Sequence, residues 1–264
     1  MRYQRYLRLL EIQLRTSLVL SMQYRADFLL DGFIEVFWMA TAFIPLYVVF
    51  HLRPSIAGWS FGEALVVMGW FTFLQGVLEG AINPSLLTVV EHIRKGTLDF
   101  VLIKPADAQF LVSTARFLPW RSVNMLTAFG VFAWGFRLLG RGPSALDVAM
   151  AGVTIAAAVA ILYALWIVTA ASAFYFVRID NLTQLFSAVF DAARWPADVF
   201  RGVVRVLFTF VIPLAIMTTT PAEALLGRLR VPTFAGAIVG AIVALVVSRL
   251  VWNRSIARYT SAGG

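Results

Sequence analysis

The residues best suited to chemistry in this sequence are carboxylates that interrupt long apolar runs. Asp27, Asp31 and Glu35 recur every four residues, so on a helix they would stack along one face. Trp38 follows closely, and Glu79 lies at a comparable depth in the next apolar run. Because ionisable groups in such runs are costly, they usually face water or other protein groups. These residues predict an acidic inner mouth that receives a cationic substrate or holds an inner gate.

A structural role for the same carboxylates is the alternative. Arg116, Arg121 or the arginines near the N-terminus would then neutralise them in ion pairs. The aromatic residues of the apolar runs are expected for the most part to pack between helices or to face lipid.

No constellation of residues predicts catalysis. The phosphate-binding pattern G-x-x-x-x-G-K-[ST] does not occur, and Lys95 and Lys104 are the only lysines. His51 and His92 lie far apart, with no carboxylates at the spacing of a metal site. We therefore predict that the chain is not an enzyme by itself, has no catalytic or metal-binding residues and binds no cofactor.

The composition is that of a membrane protein. The chain has 264 residues, of which 60% are hydrophobic and 14% charged, and its mean hydropathy is +0.82. Its apolar runs are continuous, which favours helices over the alternating strands of a membrane barrel. The net charge of +8 comes from residues that flank these runs, so it indicates topology and does not predict a nucleic-acid partner. The fold class is therefore all-α and polytopic.

Five apolar runs are long enough to cross a bilayer. They lie at about 28–50, 61–82, 120–139, 146–177 and 233–252. The basic residues between the runs favour cytoplasmic placement of both termini.

Two further segments are predicted to be helical without simply crossing the membrane. Residues 1–25 have amphipathic periodicity with several arginines, which predicts a helix lying in the lipid interface. Residues 182–222 contain Pro196, Pro213 and Pro221 among several charges. They predict a broken or re-entrant element, because irregular backbone at membrane depth must be covered by protein or water.

The polar segment 84–105 is the most informative part of the chain. Asn83-Pro84 is a favourable helix start, and Gly96 after Arg94-Lys95 is a favourable stop. We expect a short helix standing apart from the spans, with an apolar face and an aqueous face. Its residues predicted to contact a partner protein are Glu91, His92, Arg94, Lys95, Gly96, Thr97, Leu98 and Asp99.

The run Arg94-Lys95-Gly96-Thr97-Leu98-Asp99-Phe100 followed by Lys104-Pro105, after a second span, resembles the cytoplasmic segment of type-2 ABC exporter permeases. The basic N-terminus, the run from Arg178 to Leu182, Pro213 and the run from Thr220 to Glu223 match the same family in order, so the resemblance covers nearly the whole chain.

The resemblance implies that residues 1–264 are one permease domain with six transmembrane helices. It also implies an N-terminal elbow helix over 1–25, a coupling helix within 84–105, and a fifth span followed by short gate helices within 182–222, with the three prolines at the outer gate. The location it implies is the bacterial inner membrane. The partners would be ABC ATPase subunits that hold ATP and Mg, a second permease that is identical or related, and membrane lipid.

Other classes of function remain open on the residues alone. Segment 84–105 can be an ordinary polar loop, the acidic face of the first span can belong to an ATP-independent channel or ion-coupled carrier, and the surface helices can belong to a non-transporting scaffold. No residue in the sequence identifies a substrate.

Overall fold

The computed structural model describes residues 2–22, 25–175, 180–208 and 213–259. Within these ranges the chain is almost entirely helical. The α-helices are α1 (Arg2–Met22), α2 (Arg25–Leu52), α3 (Phe61–Val77), α4 (Asn83–Arg94), α5 (Asp99–Leu102), α6 (Ala108–Ser113), α7 (Ser122–Leu139), α8 (Ala145–Ala171), α9 (Asp180–Phe190), α10 (Gly202–Val206), α11 (Thr220–Leu225) and α12 (Val231–Ile256). A two-residue antiparallel hairpin, β1 (Ser55–Ile56) with β2 (Trp59–Ser60), joins α2 to α3.

Within the described residues, four helical stretches are long and apolar enough to cross a membrane. They are Phe61–Arg94, Pro119–Leu139, Ala145–Phe174 and Val231–Ile256, and they coincide with four of the predicted spans. The helix α2 adds the apolar stretch Val36–Leu52. The all-α membrane architecture is therefore confirmed, while the total of six spans stays a prediction.

Glycines set the pairing of α3 with α7. A Cβ atom on Gly69 would lie 2.4 Å from the ring of Phe132, and one on Gly135 would lie 3.0 Å from the carbonyl oxygen of Gly62. Small residues at these positions let the two backbones approach closely, as is typical of helices packed in a membrane. The antiparallel contact runs from Gly62 to Gly80 along the first helix of the pair, which is about 27 Å at 1.5 Å per residue.

The predicted separate helix at Asn83-Pro84 is not what the structure contains. A π-helical turn, Leu78–Ile82, joins α3 to α4 without a break. Pro84 has no N–H to donate to the carbonyl of Gly80 four residues earlier. Instead, the N–H of Leu118 donates to that carbonyl at 2.8 Å. A contact from a distant loop thus lets the helix continue past a proline whose local sequence predicts a helix start.

The described part of 182–222 consists of short helices and turns, and whether it is re-entrant stays a prediction. After α9 come two 3₁₀ turns, Asp191–Arg194 and Ala197–Val199, then α10, and later a π-helical turn, Ala215–Thr219, that leads into α11. The hydroxyl of Thr218 donates to the carbonyl of Ala193 at 2.8 Å, and the hydroxyl of Thr219 accepts from the N–H of Ala197 at 3.0 Å. These threonines satisfy backbone groups that the irregular turns leave open. The run from Arg178 to Leu182 lies partly outside the described residues.

The predicted N-terminal helix is present as α1. Its Tyr6 hydroxyl accepts from the N–H of Asp107 at 3.2 Å, and its Ser17 hydroxyl accepts from the N–H of Phe117 at 3.1 Å. Leu7 and Leu18 remain exposed, so the described residues do not cover the apolar side of this helix. Its place in the lipid interface stays a prediction.

Candidate functional site

The end of α4 is built as the sequence predicts. Gly96 adopts the left-handed conformation with φ of 65°. The N–H of Thr97 donates to the carbonyl of His92 at 2.9 Å, and the N–H of Gly96 donates to that of Ile93 at 3.2 Å. This pair of bonds is the Schellman motif, which closes a helix end and favours glycine at the left-handed position. The Thr97 hydroxyl also lies 2.8 Å from Nδ1 of His92.

One side of segment 84–105 is anchored in the protein core. Leu86, Val89, Val90 and Leu98 are buried and join the core cluster that includes residues of α8 and α12. Asp99 begins α5 and lies within electrostatic range of Tyr259, near the end of the described chain. Such burial makes the segment rigid with respect to the bundle.

The other side of the segment is exposed. Lys95 and Glu91 form an ion pair at 3.2 Å with both side chains mostly in solvent, and a pair of this kind contributes little stability. Further along the same segment, Phe100 is 68% exposed and Ile103 is 76% exposed. Sequence reasoning did not select these two residues, although their spacing of three on a short helix places them on one face.

Segment 84–105 lies beyond the part of the molecule where α3 and α7 are paired. The chain enters α7 next to Gly80 and Gly76, whereas α4 continues for 12 more residues, or about 18 Å. The paired length of about 27 Å is close to the thickness of a bilayer's hydrocarbon core, about 30 Å. If the α3–α7 pair spans the hydrocarbon core, segment 84–105 therefore lies outside that core.

An ion pair connects the chain after this segment to the last long helix. Arg249 on α12 donates through both terminal nitrogens to the carboxylate of Asp107, with Nη1 3.0 Å from Oδ1, and through Nη1 to Oε1 of Gln109 at 2.8 Å. The hydrogen bond from Arg249 lowers the pKa of the Asp107 carboxyl. Gln109 in turn donates to the Tyr163 hydroxyl on α8 at 3.1 Å. Residues from distant parts of the chain are thereby joined, and nothing in the sequence pattern paired them.

The predicted acidic mouth is only partly described. Asp27, Asp31 and Glu35 lie on α2, but their side chains lie outside the described part of the structure, so their partners stay a prediction. Glu79 lies in the π-helical turn, beside Asn83 and within electrostatic range of Asp191.

Trp38 lines a cavity of about 420 Å³ between α2, α3, α7 and the turn Asp191–Arg194. Trp38 is 63% exposed. The structure thus brings Trp38 towards polar residues of the broken segment, Asp191 and Arg194, that the sequence did not connect with it.

The predicted outer-gate prolines lie in irregular backbone. Pro196 separates the two 3₁₀ turns, and Pro213 precedes the π-helical turn, after which Pro221 lies in the first turn of α11. The hydrogen bond between Ala197 and Thr219 holds the first and last of these regions together. A gating role for the prolines stays a prediction.

A cluster of charged and aromatic groups lies near these prolines, and sequence reasoning missed it. The Trp59 indole donates to Asp198 at 3.2 Å, and the guanidinium of Arg228 lies 3.6 Å from the Trp59 ring centre. Arg228 also pairs with Glu63 at 2.9 Å. The cluster ties the hairpin before α3 to the turns of the broken segment and to the loop after α11, at the opposite end of α3 from segment 84–105.

The comparisons with known proteins give one match. The sequence model described as ABC-2 family transporter protein matches residues 36–263, which is nearly the whole chain. Neither the curated proteins nor the solved structures include a significant match.

Proposed function

Since this chain belongs to the ABC-2 family of transporter proteins and is a permease subunit of an ABC transporter, we propose that it exports its substrate and is driven through residues 84–105 by a separate ATPase. The ATPase holds ATP and Mg, and this chain contributes no catalytic group. It sits in the bacterial inner membrane with both termini in the cytoplasm, and α1 lies in the inner interface.

The observation that best supports this proposal is the construction of segment 84–105. Its inner side is buried in the bundle, and its outer side presents Phe100 and Ile103 beside charged residues. Exposed aromatic and aliphatic side chains rimmed by charge are typical of a protein interface. The segment also extends from the same continuous helix that forms a membrane-length stretch.

A continuous helix explains how force would reach the membrane. Movement of the ATPase displaces the end of α4, and since α3 and α4 have no break between them, the displacement is carried along α3. The Asp107–Arg249 pair carries it to α12 as well. The bundle then rocks against a second permease subunit, and the solute passes between the two subunits.

Replacement of Gly96 tests the proposal. Gly96→Ala puts a side chain on a left-handed residue, which costs about 1 kcal/mol or more and deforms the exposed turn. Gly140→Ala is the matched control, because Gly140 ends α7 with φ of 66° and a Cβ atom added there would meet no heavy atom within 4 Å. Asp99→Asn changes only the charge of the same segment.

We expect Gly96→Ala and Asp99→Asn to fold, yet to lose substrate-stimulated ATPase activity and transport in proteoliposomes that contain the ATPase. Gly140→Ala should retain both. Wild-type transport by both segment variants would contradict the coupling role. Transport that persists with a hydrolysis-dead ATPase would favour a channel or an ion-coupled carrier instead.

A further inference from the structure

The cavity beside Trp38 lies about midway through the proposed membrane layer. It is lined on α3 by Met68, Phe71, Thr72 and Gln75, and Phe71 is the midpoint of the paired stretch between Gly62 and Gly80. Its volume of about 420 Å³ is within the range of sites that hold drug-sized molecules, about 300–1,000 Å³.

Charged groups line this cavity at a depth where they are unfavourable. Asp191 and Arg194 pair at 3.2 Å, with 54% of the Asp191 side chain and 29% of the Arg194 side chain exposed. Charges that face lipid near the middle of a bilayer are strongly disfavoured, so they normally face water, protein or a ligand. The exposed part of this pair therefore marks the cavity as a polar compartment within the membrane.

The carboxylate is the more accessible member of this pair. A larger fraction of the Asp191 side chain than of the Arg194 side chain is exposed. The guanidinium of Arg194 is also drawn towards the face of Phe71, 5.3 Å from the ring centre. An approaching cation would therefore meet the carboxylate of Asp191 before the guanidinium of Arg194.

The remaining lining suits an apolar body with few polar atoms. Trp38 presents an exposed indole, and Met39, Ala42 and Pro45 follow it on α2. Aromatic faces attract cations as well as apolar groups. The carboxamide of Gln75 adds an adaptable donor and acceptor.

We propose that this cavity binds an amphipathic organic cation, with the charge next to Asp191 and the apolar body against Trp38 and Phe71. The inference rests on the proposed function, because it names the class of solute that the permease would move. It does not depend on the ATPase, since binding to the permease alone is sufficient to test it.

The test is equilibrium binding of labelled tetraphenylphosphonium to the purified permease in nanodiscs, without ATPase, after subtraction of empty nanodiscs. Tetraphenylborate, which has the same shape and the opposite charge, is the control ligand. The variants are Asp191→Asn, Arg194→Gln and Trp38→Ala, with Glu11→Gln on the exposed side of α1 as the control for a lost surface carboxylate. Trp38 is exposed, so its replacement leaves the core intact, and size-exclusion profiles check the folding of all variants.

We expect saturable binding of the cation and not of tetraphenylborate. Asp191→Asn and Trp38→Ala should each weaken it about tenfold, a loss in keeping with a desolvated charge or cation–π contact. Arg194→Gln should tighten it, because a competing cation is removed, and Glu11→Gln should leave it unchanged.

The inference would be overturned if the cation showed no saturable binding, or if tetraphenylborate bound saturably. It would also be overturned if Asp191→Asn and Trp38→Ala both bound the cation with wild-type affinity. If the Gly96 and Asp99 variants nevertheless lose coupling, the proposed function stands and only this assignment fails.

Discussion

At the scale of single residues, the ion pairs in and after segment 84–105 differ in what they stabilise. The Glu91–Lys95 pair is exposed, which leaves it available to a partner. The Asp107–Arg249 pair is partly buried, forms two parallel hydrogen bonds and connects two distant parts of the chain. Bidentate arginine–carboxylate pairs are more specific and stronger than ordinary surface pairs.

Replacing Asp107 should destabilise the protein in a way that depends on pH. Because the pKa of Asp107 is lowered in the folded state, its contribution to the free energy of unfolding is full above the unfolded pKa, about 3.9, and is lost as pH falls through the folded pKa. Asp107→Asn should therefore lower the thermal midpoint at pH 7, and the difference from wild type should shrink as the pH falls below about 4.

Thermal unfolding in detergent between neutral and acidic pH measures this effect. Glu91→Gln, which loses only the exposed pair with Lys95, is the control and should shift the midpoint little at any pH. A difference between Asp107→Asn and wild type that does not change with pH would contradict the role assigned to the ion pair.

At the scale of elements, the close pairing of α3 and α7 depends on one glycine facing one ring. The Cβ of an alanine at position 69 would lie 2.4 Å from the Phe132 ring, so something must shift. Phe132 is itself held by Trp70, with ring centres 4.8 Å apart. The contact fixes both the distance and the rotation of the two helices.

Gly69→Ala should therefore destabilise the protein by about 1–3 kcal/mol, the usual cost of overpacking a core. Gly130→Ala on α7 is the matched control, because its added methyl meets nothing within 4 Å and should be neutral or slightly stabilising. Thermal midpoints measure both changes. The double variant Gly69→Ala/Phe132→Leu should recover part of the stability that Gly69→Ala loses. If the stability effects of the two substitutions were strictly additive, that would argue against contact between these residues.

At the scale of the whole molecule, α2 has a surface that the rest of the described chain does not cover. Phe33, Phe37 and Trp38 are exposed aromatic residues on this helix, and the polar cavity opens beside it. By contrast, α12 exposes aliphatic residues such as Val239 and Val243, which suit lipid. We therefore expect a second permease to pack against α2.

Cysteine cross-linking tests this expectation, since the chain contains no cysteine and single variants carry one thiol. On expression of this chain alone, Phe37→Cys should form a covalent dimer in membranes after oxidation. Val239→Cys on α12 should remain monomeric. Equal cross-linking of the two variants, or of neither, would contradict a homodimer formed through α2.

Several features followed from the sequence alone because a few adjacent residues encode them. The continuous apolar runs identified the chain as a membrane protein and located four membrane-length helices. Gly96 determined the end of α4, since only glycine accepts the left-handed conformation without strain. The clustered prolines and charges of 182–222 indicated broken backbone for the same local reason.

The tertiary structure decided what depends on groups far apart in the chain. Whether Pro84 starts a helix or is absorbed into one was settled by the N–H of Leu118, which occupies the carbonyl that Pro84 leaves without a donor. Likewise, Asp107 pairs with Arg249, and Trp38 lines the same cavity as Asp191. Both contacts arise because packing sets the rotation and the axial position of each helix. Hydropathy specifies that a helix is buried in a bilayer, but it does not specify which neighbour each face meets.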